Sequence, residues 1–167
     1  MRRAESRDAE AVAAIHNQGI VARGATFDTE LRTPAHRRAV IERGGPRFPI
    51  LVAELDGRVA GWASLTEHSP RACYAGIAEC SVYIDASARG RGVGSALMGA
   101  LVDEARRLGF WKLVSRAFPF NAASRALCAR AGFREVGTYE RHAKLDGRWL
   151  DVVIVERLIP ENQRDGD

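Results

Sequence analysis

The stretch "ARGRGVGSAL" (Ala88–Leu97) decides the fold of this 167-residue chain. It places two arginines among three glycines, directly before an apolar-periodic run. Glycine in ordered structure costs about 0.5–1 kcal/mol relative to alanine, so three glycines within five residues indicate a backbone that a ligand approaches closely. Between a strand and a helix, free N–H groups, the helix dipole and arginine side chains together form an anion site. The alternative is a flexible turn with solvated arginines.

Two common nucleotide-binding motifs do not fit this glycine turn (Arg89–Gly94). The dinucleotide fingerprint G-x-G-x-x-G fails, because its last glycine would fall on Ser95 or Leu97. The phosphate-binding loop of nucleotide hydrolases needs a lysine and a serine or threonine after the last glycine, and neither follows here. The pattern that remains is Arg-x-x-Gly-x-Gly.

Composition limits the partners of the chain. At 46% hydrophobic residues it can bury a core, and its length predicts a single domain over 1–159 with a polar, frayed tail over 160–167. The net charge is +4, but the basic residues are scattered along the chain, which disfavours nucleic acid as a partner. No apolar run reaches the roughly 20 residues of a membrane helix. Three cysteines without metal-ligand spacing indicate reduced thiols, no metal site and a cytoplasmic location.

Periodicity predicts an α/β (α+β) fold with a mostly antiparallel sheet. Ser6 is the predicted N-cap of the first helix, and Thr33 caps a second that stops at Gly44-Gly45. Asp56-Gly57 and Asp146-Gly147 are predicted hairpin turns. The strand "AGIAECSVYI" alternates between two faces, and the run after the glycine turn is an amphipathic helix that ends at Gly109.

The chain resembles the GNAT superfamily of N-acetyltransferases in the order of several motifs. "AECSVYI", "ARGRGVGSAL", "NAASRAL", "AGF" and "DGRWLDV" follow one another as in the phosphinothricin and arsinothricin N-acetyltransferase branch, and "ATFDTE" also matches. The resemblance implies a mixed sheet of about seven strands, splayed between strands 4 and 5 and flanked by about four helices. It also implies a homodimer, to which the apolar strand "LDVVIVERL" could contribute.

Acetyl-CoA is the co-substrate that the resemblance implies. The glycine turn would hold its pyrophosphate, and the splay would receive its pantetheine arm along the backbone of the fourth strand, which would also supply an oxyanion donor. Asn121 would contact the pantetheine region while capping a short helix. The residues expected to bind acetyl-CoA are Val82, Tyr83, Ile84, Arg89, Gly90, Arg91, Gly92, Val93, Gly94, Ser95, Asn121 and Ser124.

Glu79 is the predicted general base. It is the one acid in an apolar-rich strand, and a buried acid must be paired or functional. The implied reaction needs a base, because the acceptor amine arrives mostly as ammonium and must lose a proton directly or through water. The branch carries a glutamate at this place in its strand motif. The alternative is a structural ion pair, for instance with Arg71.

The sequence does not single out one residue as the acid that protonates the departing thiolate. The family often places a tyrosine where this chain has Cys128, whose thiol could donate a proton or could simply pack on the sheet. Tyr83, Tyr139 and His142 are other candidate donors, although His142 fits a surface strand equally well.

Arg71 is the predicted acceptor-binding residue. It lies in the loop "EHSPRACYAG" ahead of Glu79, where it could fork onto a carboxylate or phosphinate or remain solvated. By resemblance Thr26, Phe27 and Glu30 would line the other wall, and Arg116 is a further anion candidate. The expected acceptors are small amino acids of the phosphinothricin, arsinothricin and methionine sulfone or sulfoximine type. The alternatives are a protein or peptide N-acetyltransferase and a non-catalytic acyl-CoA-binding module.

Overall fold

The computed structural model describes residues 1–163, which form one seven-stranded sheet with helices on both faces. The strand order is β1-β2-β3-β4-β5-β7-β6, and every pairing is antiparallel except β4–β5. This architecture confirms the predicted fold class. The elements are β1 (Arg2–Arg3), α1 (Ala9–Val21), α2 (Pro34–Gly44), β2 (Ile50–Leu55), β3 (Arg58–Glu67), β4 (Ile77–Ile84), α3 (Val93–Arg107), β5 (Lys112–Ala117), α4 (Ala122–Arg130), β6 (Arg134–Leu145) and β7 (Arg148–Leu158).

The sheet opens between its two parallel strands. β4 and β5 pair only as far as Glu79 and Val114, so the later halves of both strands have no partner on that side. At the point where they part, the Ser115 hydroxyl donates to the Cys80 carbonyl over 2.8 Å. The strands beyond this bond leave a V-shaped cleft in the middle of the sheet, as the resemblance implied.

The two faces of β4 carry different residues, as its alternating sequence predicts. Ala78 and Cys80 are buried in the main core beneath α3. Tyr83 lies on the opposite face, where its ring stacks on Trp62 with 4.7 Å between centroids. That second face is covered by α1 and α2. β4 therefore packs against the main core on one face and against the layer of α1 and α2 on the other.

The glycine turn needs glycine for its backbone angles. Gly90 and Gly92 have φ of +75° and +80°, a region that side chains with a Cβ rarely enter. Gly92 occupies the N-cap position of α3, and the apolar stripe of that helix is buried against the sheet. α3 ends just before Gly109, at φ +81°, as predicted.

Both predicted hairpin turns are present. Asp56-Gly57 joins β2 to β3, and Asp146-Gly147 joins β6 to β7. All four residues have positive φ, which is the geometry that matches the twist of paired strands.

The predicted cap of the first helix was wrong. Ser6 lies inside a short 3-10 turn (Ser6–Asp8) that precedes α1, and its hydroxyl donates to Glu42 over 2.8 Å. The residue before the turn, Glu5, donates its N–H to the Asp8 carboxylate instead. The Arg2 guanidinium also donates to the Asp8 carboxylate, and these bonds keep the pKa of Asp8 below its usual range.

The start of the predicted tail is attached rather than frayed. Pro160–Asn162 form a 3-10 turn. The Asn162 amide donates to the carbonyls of Arg106 and Phe110, each over 2.8 Å, and so satisfies acceptors exposed at the end of α3. Residues 164–167 of the predicted tail lie outside the described residues.

The apolar run "LDVVIVERL", expected to contribute to a homodimer, lies within β7. β7 lies inside the sheet between β5 and β6, and Val152–Val155 are buried in the core of the subunit. The described sheet has β6 at one edge and β1 at the other. No described helix within residues 1–163 is long and apolar enough to cross a membrane.

Candidate active site

The opening between β4 and β5 is a cleft of about 720 Å³, called here the central cleft. Its walls come from the later half of β4, the glycine turn, the end of β5 and the start of α4. Of the residues expected to bind acetyl-CoA, those that line it are Val82, Tyr83, Ile84, Arg89, Gly90, Gly92, Val93, Gly94, Ser95, Asn121 and Ser124.

Arg91 is the expected acetyl-CoA contact that the structure places elsewhere. Its guanidinium lies 3.4 Å from the Asp56 carboxylate in the β2–β3 turn. Both side chains are more than half exposed, and such surface ion pairs contribute little to the stability of the fold. Arg130, which sequence reasoning did not single out, instead lines the central cleft from α4.

Asn121 links two walls of the cleft. Its side-chain oxygen accepts from the Ser124 backbone N–H over 3.0 Å, which caps α4 as predicted. Its amide nitrogen donates to the Gly24 carbonyl over 2.8 Å. The same side chain therefore fixes the start of α4 and the loop that follows α1.

Glu79 lies at the point where the strands part, in what we call the Glu79 cluster (His68, Glu79 and Arg116). Arg116 donates to both carboxylate oxygens, over 2.8 and 2.9 Å. His68 Nδ1 lies 3.3 Å from Oε1. The glutamate side chain is a quarter exposed, so it is only partly buried. Its arginine partner is Arg116 rather than Arg71, because the parallel register sets Val114 beside Glu79 and brings Arg116 to the same face.

Arg71 reaches the Glu79 cluster only through other side chains. It is exposed, and its guanidinium lies 5.5 Å from the centre of the Tyr74 ring. Tyr74 in turn makes an edge contact with the His68 ring, with 6.1 Å between centroids. Sequence reasoning missed His68 and Tyr74. Both lie in or beside the loop that contains Arg71, but neither belongs to a recognisable motif.

None of the three predicted residues in the loop after α1 lines the central cleft, but Phe27 contacts a side chain that does. Phe27 packs edge-on against Phe118, a cleft-lining ring, with 4.9 Å between centroids. The Thr26 hydroxyl oxygen accepts from the Asp28 backbone N–H over 3.0 Å, within the loop itself. Glu30 is exposed, and the described part of the chain does not place it in the cleft wall.

The candidate proton donors differ in position. Cys128 and Tyr83 line the cleft. Burial raises the pKa of the Cys128 thiol to about 11, and burial also raises the pKa of Tyr83. Tyr139 and His142 contact each other on the exposed strand β6, away from the cleft lining that the structure describes.

The sequence over residues 18–133 matches the acetyltransferase (GNAT) family. Two curated relatives align over most of the chain. The phosphinothricin N-acetyltransferase of Streptomyces coelicolor is 35% identical over 79% of this chain and 80% of its own. The L-methionine sulfoximine/L-methionine sulfone acetyltransferase of Pseudomonas paraeruginosa is 33% identical over 93% of this chain and 92% of its own.

Solved structures share the whole fold. A ribosomal-protein-alanine N-acetyltransferase from Brucella melitensis superposes with a TM-score of 0.91 at 34% identity, covering 95% of this chain and 98% of that one. A phosphinothricin acetyltransferase from Sinorhizobium meliloti, solved with acetyl-CoA, gives 0.86 at 28% identity, covering 95% and 86%. Sequence match, shared fold and the splayed cleft behind a glycine turn lead to one conclusion: this chain belongs to the GNAT family of acetyltransferases.

Proposed function

We propose that the protein transfers acetyl from acetyl-CoA to the α-amine of a small amino-acid-like acceptor of the phosphinothricin or methionine sulfoximine type. The observation that carries the proposal is the placement of a partly exposed carboxylate, Glu79, at the point where β4 and β5 part, beside a cleft that begins at the glycine turn. The names of the aligned relatives support the acceptor class.

The central cleft suits the donor in shape and chemistry. Backbone N–H groups at the start of α3 would face the pyrophosphate, and Arg89 and Arg130 add positive charge to the same opening. The edge of β4 that β5 leaves unpaired would hydrogen bond the amides of the pantetheine arm. N–H groups on this edge, within Val82–Ile84, would also stabilise the oxyanion of the tetrahedral intermediate.

Glu79 is proposed to supply the base function of the site. It would remove the ammonium proton directly or through groups hydrogen bonded to it, water included. Cys128 is proposed to pack rather than to protonate the thiolate, because its raised pKa makes it a weaker acid than an ordinary thiol.

The acceptor side carries two arginines. Arg116 belongs to the Glu79 cluster, Arg71 lies over the neighbouring Tyr74 ring, and both would provide hydrogen-bond donors for a phosphinate, sulfoximine or carboxylate. A polyamine or aminoglycoside would place positive charge against these guanidinium groups, which is unfavourable in a partly desolvated site. Thr26 and Phe27 are proposed to form the opposite wall.

A homodimer is part of the proposal, with β6 as its contact surface. β6 is an open sheet edge with exposed apolar side chains, of which Val136 and Tyr139 are about half exposed. Trp149, on the neighbouring strand, is exposed to a similar degree. Sedimentation should give a dimer for the wild type and a monomer for Tyr139→Arg; a wild-type monomer would contradict this contact.

A cytoplasmic location is proposed with the function. Cys73, Cys80 and Cys128 are all free thiols, as expected of a reducing compartment. Fractionation of the native host would test this, and recovery outside the cytoplasm would contradict it.

Acetylation of a protein N-terminus is the second candidate, favoured by the close superposition on the Brucella melitensis enzyme. The two candidate functions are distinguished by comparing five acceptors side by side: phosphinothricin, methionine sulfoximine, methionine, spermidine and a peptide with an N-terminal alanine. Thiol release should give the highest kcat/KM with phosphinothricin or methionine sulfoximine. A higher value for the peptide or spermidine would reject the proposed acceptor class.

A further inference from the structure

His68 is placed to take part in the proton transfer. It is the first residue after β3, and the β3–β4 register sets the end of that strand beside Glu79. Its Nδ1 lies 3.3 Å from Oε1 of Glu79, at the long end of hydrogen-bond distances. The histidine side chain is about a third exposed, so its ring is open both to the carboxylate and to solvent.

The two neighbours of Glu79 have different chemistry. Arg116 forks onto both carboxylate oxygens, but a guanidinium has no acceptor atom and does not give up its proton. An imidazole can do both. Its contact with an ionised carboxylate requires a proton on Nδ1, which leaves Nε2 as the acceptor. Within residues 1–163, Nε2 has no hydrogen-bond partner that would occupy it.

The groups that face His68 come from β4, from β5 and from the loop before β4. Glu79 faces the ring from β4, with Arg116 behind it on β5. Tyr74 faces the ring from the loop before β4, and Arg71 lies over the Tyr74 ring. Glu79 is therefore the nearest charged group, and it would stabilise the positive ring while Arg116 holds the carboxylate in place.

We propose that His68 Nε2 takes the proton from the acceptor ammonium, while Glu79 orients the imidazole and stabilises the imidazolium. The N–H bond of the ammonium breaks, an Nε2–H bond forms, and the freed amine lone pair attacks the thioester carbon. The C–S bond then breaks, CoA leaves as the thiolate, and the nitrogen of the new amide loses its second proton to solvent. The imidazolium also returns its proton to solvent. This assignment rests on the proposed acetyl transfer and gives its base function to a Glu79–His68 pair rather than to Glu79 alone.

The test compares His68→Gln, Glu79→Gln and the double variant with the wild type across pH. His68→Gln should lower kcat about 10²-fold or more and flatten the acidic limb of the pH profile. The thermal shift on acetyl-CoA binding should stay unchanged. The kcat of the double variant should be within about threefold of that of the worse single variant. The effects of substituting two residues that act as one unit do not add. His36→Gln, an exposed histidine on α2, is the matched control and should leave turnover unchanged.

Nitrogen-15 NMR of the imidazole adds a readout that a merely structural role would not move. The Nδ1–H tautomer should predominate in the wild type and should mix with the other tautomer in Glu79→Gln. Near-normal kcat and an unchanged acidic limb in His68→Gln would overturn the role of His68 while leaving the proposed acetyl transfer standing. Independent losses that multiply in the double variant would also overturn the pair. A wild type that acetylates none of the amino-acid acceptors would contradict the transfer itself.

Discussion

At the scale of single residues, Arg71 tests the acceptor assignment. Its guanidinium is exposed above Tyr74, so a bound phosphinate or sulfoximine could be reached without breaking an ion pair that the described residues show. Arg71→Ala should raise KM for such acceptors roughly ten- to a hundredfold, because a hydrogen bond to a charged group contributes about 1.5–3 kcal/mol. Acetyl-CoA affinity should barely change. Arg38→Ala, an exposed arginine on α2, is the control. Unaltered acceptor kinetics in Arg71→Ala would remove this residue from the site.

At Cys128, burial favours a packing role over a catalytic one. The thiol lines the cleft, but its pKa of about 11 keeps it protonated and a poor acid at neutral pH. Cys128→Ala should therefore change kcat less than about threefold, since losing a single sulfur atom removes packing but no proton that the reaction needs. Steady-state kinetics on the folded variant decide the point. A thousandfold loss would return Cys128 to the role of general acid.

At the scale of elements, the glycine turn sets the start of α3 and the mouth of the cleft. Gly92→Val puts a branched side chain at φ +80°, so the turn must change shape. Saturating acetyl-CoA, at about a hundredfold excess over Kd, should stabilise the wild type by about 2.7 kcal/mol. Most of that thermal shift should disappear in Gly92→Val. Gly99→Val, inside α3 where no neighbour crowds the Cβ position, should keep the shift. A full shift in Gly92→Val would place the donor elsewhere.

Signals from neighbouring residues predicted the helices, strands and turns well, but they did not predict which strands distant in sequence pair with each other. Asp-Gly turns, the Thr33 cap and the alternation of β4 depend on neighbouring residues, and all are present. The insertion of β7 between β5 and β6 depends on contacts distant in sequence, so its apolar run alone did not place it inside the sheet. The same holds for the candidate site. Glu79 stood out as the one acid in an apolar-rich strand, but only the β4–β5 register brings Arg116 to it.

At the scale of the whole molecule, Glu104 ties the first strand to α3. Its carboxylate accepts from Arg107 on the same helix and from Arg3 on β1, and these bonds lower its pKa to about 2. The stabilisation is present above the unfolded-state pKa near 4.5 and is lost as pH falls towards 2. Because both arginines are largely exposed, the effect is about 1 kcal/mol. Urea unfolding should show Glu104→Gln less stable than the wild type at pH 7, with the gap closing by pH 2. A constant gap would contradict the linkage.

The proposed function requires the central cleft to bind acetyl-CoA and Glu79 to activate the acceptor, and Glu79→Gln tests the second requirement most directly. The measurement is kcat with methionine sulfoximine beside the acetyl-CoA Kd of the same variant. Glu67→Gln, an exposed glutamate at the end of β3, serves as the control. We predict a fall in kcat of about 10²–10⁴-fold with Kd unchanged. Near-normal kcat across pH in Glu79→Gln would show that the ammonium proton leaves by another route.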